Sequence, residues 1–84
     1  MIIRKKVSED DITFKKVIKL YDNVPYQIIE AYKYGDGWVS VQDICLESTI
    51  AKLINRGYTN VKLSVIDKNG RKHSPDYNLN ELIK

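Results

Sequence analysis

The side chains best suited to nucleophilic or acid–base chemistry are Cys45 and His73, and each residue type occurs once in the 84-residue chain. A thiol reacts when a neighbouring base or a helix N-terminus lowers its pKa. An imidazole works as a base only beside a proton donor and an orienting group. Cys45 stands where a segment of helical spacing begins, so amide dipoles could activate it. The competing reading, adopted here, is a small semi-buried hydrophobe. His73 follows a turn and sits beside Arg71 and Lys72, whose positive field disfavours imidazolium, and it reads as a surface histidine. No triad or dyad is legible around either residue, so no catalytic residue is assigned and the chain is read as a non-enzyme.

Metal binding needs several converging His, Cys or carboxylate ligands. The acidic run Glu9-Asp10-Asp11 does not supply them, because adjacent side chains diverge on a helix. It reads as a polar turn or a helix N-terminus. Gly35-Asp36-Gly37 lacks both the spacing and the lysine of a phosphate-cradling loop, and reads as a turn. No metal and no cofactor are expected.

What remains is surface chemistry. Aromatic and basic residues interleave at Tyr26, Tyr32-Lys33-Tyr34 and Trp38. Tyrosine and tryptophan are the common anchors of protein interfaces, so Tyr26, Tyr32, Tyr34 and Trp38 form the candidate partner-binding surface. Cross-strand packing is the alternative use of the same residues. Basic residues cluster at Arg4-Lys5-Lys6, at Lys15, Lys16 and Lys19, and at Lys68, Arg71 and Lys72. On a helix Lys15, Lys16 and Lys19 would share one surface, and with Arg71 and Lys72 they are the candidate nucleic-acid contacts. In a strand they would split between two faces. The net charge of +3 permits an anionic partner without requiring one.

These residues must be positioned by a small α+β domain. Eighty-four residues make one domain, and the 43% hydrophobic content suits a single modest core. Eleven isoleucines, eleven lysines, six asparagines and six tyrosines against two alanines point to an AT-rich coding sequence, which weakens any reading of the lysines as selected for a ligand. Met1-Ile2-Ile3 turns at once into Arg4-Lys5-Lys6, leaving no apolar run for a signal peptide. The chain has no apolar run long enough to span a membrane. One cysteine allows no internal disulfide, so the expected address is the cytoplasm.

The clearest element is a helix over about Ile44 to Arg56, with Leu46, Ile50, Leu53 and Ile54 on one face, Asp43 as N-cap and Gly57 as terminator; Ile44 falls off the apolar stripe, which also allows a start a residue or two later. Asn60 to Ile66 alternates as a half-buried strand. Asn69-Gly70 predicts a type I′ turn into a short strand from Arg71 to Ser74, stopped by Pro75. Asn78 and Glu81 resemble a capping box for a last turn burying Leu79, Leu82 and Ile83. Tyr26 to Tyr34 and Trp38 to Val41 predict a second hairpin. Ile12 to Tyr21 fits a helix led in by Ser8 to Asp11, though its alternation also fits a strand. With a first strand at Ile2 to Val7 and that helix, the order is β-α-β-β-α-β, the ferredoxin-like arrangement. Without the helix it is an antiparallel meander. Either way the expectation is an antiparallel sheet of about four to five strands with one or two helices packed on one face.

The leading functional reading is a non-enzymatic binding module, a small regulatory or inhibitory protein acting by protein–protein contact. The alternative is a nucleic-acid-binding protein. Self-association through an unpaired sheet edge is left open.

Overall fold

The computed structural model describes residues 6–21 and 26–84. They form an α+β domain built on a five-stranded antiparallel sheet. The chain enters through a 3₁₀ turn at Glu9–Asp11 and a single helical turn, α1 (Lys15–Ile18). A hairpin follows, β1 (Tyr26–Lys33) and β2 (Gly37–Cys45), then helix α2 (Glu47–Asn55) and strand β3 (Asn60–Ile66). Two short strands, β4 (Lys72–His73) and β5 (Asp76–Asn78), both pair with β3, and a 3₁₀ turn at Leu79–Leu82 closes the chain.

The strand order is β2-β1-β3-β4, with β5 also on β3. β2 and β3 therefore lie on either side of β1, and α2 connects them across it. Tyr26 pairs with Cys45, Tyr32 with Trp38 and Lys33 with Gly37, while Ala31 faces Val39 on one side and Val61 on the other. Successive side chains of a strand point to opposite faces. Ile28, Ala31, Val61, Leu63 and Val65 thus make one buried inner layer, joined by Tyr26, Cys45 and, from outside the sheet, Ile12, Phe14, Val17, Ile50, Ala51, Leu53, Leu79 and Leu82.

A bulge breaks this alternation once. The register of β1 shifts between Ile28 and Glu30 against both neighbours, so Ile28 and Ala31 are both buried although three residues apart. An extra residue in one strand resets the parity of everything after it. Tyr26 and Ile28 face in, whereas Glu30 and Tyr32, of the same parity in sequence, face out.

Several expected elements move. The helix begins at Glu47, not Ile44: β2 runs on through Cys45, and the cap position belongs to Leu46. Asp43 caps nothing helical, since its Oδ1 accepts the N–H of Ile44 at 2.8 Å. Cross-strand pairing of Tyr26 and Gln27 with Cys45 and Ile44 outweighs helical spacing there. Leu46 is correspondingly 47% exposed, off the stripe made by Ile50 and Leu53. The far end of α2 is as expected. Gly57 (φ +93) donates to Ile54 O and Tyr58 N–H to Leu53 O, the paired bonds of a Schellman stop.

The segment Ile12 to Tyr21 is helical only at Lys15–Ile18, with Phe14 and Val17 buried and Ile12 bridging Ile83. Ser8 to Asp11 makes a separate turn, in which the Asp11 carboxylate accepts the Ser8 N–H at 3.0 Å. At Asp67-Lys68-Asn69-Gly70 only Gly70 has positive φ, so the turn is not type I′. Gly70 N–H donates to Asp67 O and Asp67 N–H to Arg71 O, a three-residue loop with glycine in the left-handed position. The returning strand is split at Ser74-Pro75, with the Pro75 carbonyl accepting the Leu63 N–H, and resumes as β5, which periodicity did not indicate. Asn78 does cap the last turn, accepting from the Asn80 N–H at 2.9 Å; Leu79 and Leu82 are buried and Ile83 is half-buried. Of the expected first strand, residues 2–5 lie outside the described residues, and Lys6 and Val7 are not in a strand. From the hairpin to β3 the described residues run β-β-α-β, but β3 pairs with β1, the first strand of the hairpin, where the ferredoxin-like arrangement would set it beside the opening strand.

The corrected helix start gives a direct test. Leu63→Ala, a fully buried position, should lower unfolding stability by about 2–5 kcal/mol, whereas Leu46→Ala should change it by no more than about 0.5 kcal/mol. Urea denaturation of the two variants measures both, and a large loss at Leu46 would restore the earlier helix start.

Candidate functional site

The aromatic hairpin separates into two populations. Tyr26 is 2% exposed, so its place in the expected partner-binding set is corrected: it belongs to the core. Its ring meets Phe14 edge-on at 6.5 Å, and its hydroxyl donates to Tyr21 O at 3.0 Å. Beyond the bulge the aromatics turn outward. Tyr32 and Trp38 form a cross-strand pair on the outer face, with ring centroids 5.5 Å apart. Trp38 is 41% exposed, and Tyr34, at the hairpin tip, is 88% exposed. The tip turns on Gly35 (φ +93), with the Asp36 N–H bonding Lys33 O at 3.0 Å, so the third turn residue must tolerate the left-handed region.

Strand β3 completes this outer face. Lys62 holds its ammonium 5.1 Å from the Trp38 ring and 3.9 Å from the Glu30 carboxylate. Asn60 pairs with both Tyr32 and Asn78, and Asp76 pairs with Lys62. The result is a ridge of Tyr32 and Trp38 bordered by alternating polar and charged groups. Sequence reasoning missed Lys62 and Asn60. The signal was present in the alternation of Asn60 to Ile66, whose polar parity had to face somewhere, but its proximity to Trp38 required the pairing of β3 with β1.

Lys15 and Lys16 open α1 and Lys19 is its C-cap. Lys15, Lys16 and Lys19 are all exposed around one short turn. Arg71 and Lys72 are exposed on the other side of the sheet turn. The Tyr21 ring lies 5.5 Å from that of His73, which brings the segment after α1 against β4, the strand bearing Lys72. Lys68, at the β3–β4 turn, is also exposed; of the cluster at residues 4–6 only Lys6 is among the described residues.

Cys45 and His73 are not brought together. They stand on β2 and β4, separated by β1 and β3, so three strand spacings of about 4.8 Å put them roughly 14 Å apart. Cys45 is the last residue of β2 rather than a helix start, and burial, with the carboxylate of Glu47 nearby, pushes its thiol up to about 12. His73 Nε2 lies 2.7 Å from Asp67 Oδ2. The hydrogen bond from His73, followed by those from the Arg71 and Asn69 amides, holds the Asp67 carboxyl below its ordinary value. This pair closes the β3–β4 turn. Among the described residues no three His, Cys, Asp or Glu side chains gather to hold a metal ion, and no helix is long and apolar enough to cross a membrane.

A shallow groove of about 480 Å³ runs between the entering chain and α2, lined by Lys6, Ser8, Glu9, Ser48, Lys52 and Arg56 among others. Asn55 shapes it by clamping Val7, accepting its N–H at 2.9 Å and donating to its carbonyl at 2.8 Å. Comparison with family models, curated proteins and solved structures finds no match to this chain.

Two measurements check the electrostatics. Cys45 should resist alkylation at pH 8 in the native protein and react on unfolding, as followed by mass spectrometry. Asp67, with a depressed folded pKa, contributes stability that is present above the ordinary carboxylate range and is lost as pH falls through its folded value. An NMR titration should find its pKa moving back up in His73→Ala; an unchanged value would show that His73 is not its main partner.

Proposed function

We propose that this protein is a non-enzymatic binding module, a small regulatory or inhibitory protein that grips a protein partner with the outer face of its hairpin. The reading rests on one observation: Trp38 and Tyr32 pair on the outer sheet face, and Tyr34 stands exposed at the hairpin tip next to them in sequence. Aromatic anchors on rigid strands lose little conformational entropy on binding, and a rim of Glu30, Lys62 and Asn60 would orient the partner by polar contacts. The separation of Cys45 from His73 supports a role in recognition rather than in group transfer.

A second reading has its own support. Lys15, Lys16 and Lys19 remain grouped and exposed, and an aromatic pair flanked by Lys62 could stack an unpaired base. Under this reading the protein binds nucleic acid through phosphate contacts, with Arg71 and Lys72 extending the footprint.

Affinity capture with the wild-type chain, followed by calorimetry on the recovered partner, separates the two. Under the protein reading Trp38→Ala weakens binding by about 2 kcal/mol or more, roughly 30-fold, while the secondary structure is retained. Tyr34→Ala should weaken binding with no change in the thermal midpoint, because its ring is free in solvent. A salt-steep affinity for oligonucleotides that drops in the Lys15/Lys16/Lys19→Ala triple variant would favour the second reading instead.

A further inference from the structure

From the backbone of β2 we infer that the chain forms a symmetric homodimer in which β2 pairs antiparallel with β2 of a second copy, about a two-fold axis through Ser40. The inference is independent of the outer-face reading above, because it uses main-chain groups and not the aromatic ring faces.

β2 is the sheet edge, nine residues long, and among the described residues nothing pairs with its far side. Natural edges of this length are commonly blunted by proline, by lysine or by a bulge in the edge strand. β2 has no proline and no lysine and its one charge is Asp43; against β1 it carries one extra residue, Val41 and Gln42 both facing Ile29, yet Trp38 and Ile44 at its two ends still point the same way.

The direction of its free groups follows from the hydrogen bonds at its two ends. The Tyr32 carbonyl accepts the Thr59 N–H at 2.9 Å, on the β3 side. Tyr32 and Trp38 are therefore a non-hydrogen-bonded pair, and the N–H and C=O of Trp38 point away from β1. At the other end the Ile44 N–H bonds Asp43 Oδ1 and the Ile44 carbonyl takes the Leu46 N–H at 3.0 Å, so Ile44 also points outward but is already satisfied. Between them, by alternation, Ser40 and Gln42 present open donors and acceptors. Three open residues remain, evenly spaced, with Ser40 at the centre.

That spacing is its own complement. An axis through Ser40 sets Ser40 against Ser40 and Trp38 against Gln42 in each direction, three hydrogen-bonded pairs and about six hydrogen bonds. Shifting the axis by one residue in either direction leaves an open residue facing the hairpin turn or the satisfied Ile44. In the Ser40 register Val39 of one copy faces Val41 of the other on the inner side, where both are only half-buried in the single chain. Asp43 faces Gly37 of the other copy, which has no side chain to oppose it. No like charges meet. Such an interface is isologous and closes on itself.

Sedimentation equilibrium on the whole chain, with concentrations reaching about 1 mM, reads the result, since a dimer fraction follows protomer concentration. The wild type should dimerise. Ser40→Pro removes the central donor without touching the β1 ladder and should weaken dimerisation roughly 100-fold, with circular dichroism unchanged. Val41→Lys, should the proline variant misfold, places two like charges near the axis and should give the same loss. Trp38→Ala keeps its backbone and should still dimerise. A wild-type chain that stays monomeric throughout, or a dimer that persists unchanged in folded Ser40→Pro or Val41→Lys, overturns the inference.

Discussion

The inner faces of β1 and β3 bury Ile28, Ala31, Val61, Leu63 and Val65 almost completely, and the remaining elements are arranged to keep that layer dry. A nine-residue helix gains little from its own hydrogen bonds in water, so α2 owes its stability to Ile50, Ala51 and Leu53 resting in the core. The entering chain adds Ile12, Phe14 and Val17, and the last turn adds Leu79 and Leu82. Chain ends otherwise far apart are joined there, by the Ile12–Ile83 bridge and by the Thr13 N–H bonding Leu82 O at 2.8 Å.

This one-sided burial leaves the opposite face of the sheet uncommitted. Polar parity in β3 and the outward half of β1 send Lys62, Asn60, Glu30 and Tyr32 there, and β2 adds Trp38. The hairpin thus has two distinct resources. Its outer face carries the aromatic rings that the proposed partner would meet, and its edge, unpaired among the described residues, carries the backbone groups of the proposed dimer. They involve alternate aspects of the same residues, because in a strand the side chain and the peptide groups of a residue point in perpendicular directions. A partner on the face and a second copy on the edge can coexist.

The bulge at Ile28–Glu30 explains why the aromatic set was only partly legible. Tyr26, Ile28, Glu30, Tyr32 and Tyr34 share one parity in sequence, which makes Tyr26 and Tyr32 look like neighbours on one surface. The extra residue puts Tyr26 in the core beside Phe14 and turns Tyr32 to solvent. Nothing local marks the position, since Ile29 suits a regular strand equally well. The start of α2 was misplaced for a related reason: Ile44 and Cys45 have helical neighbours in sequence but strand neighbours in space.

The sequence by itself determined what is written in short-range pattern: the alternation of Asn60 to Ile66, the glycine stops at Gly35, Gly57 and Gly70, the α+β class, and the residue types left for chemistry. These depend on backbone dihedrals and on the period of apolar side chains, both properties of a few consecutive residues. Tertiary structure alone decided which tyrosine is core, how far β2 extends, that β5 forms, and that β2 lies at the edge of the sheet among the described residues. Each of these depends on which strand lies beside which, a long-range choice made by burial of the common core rather than by any local preference.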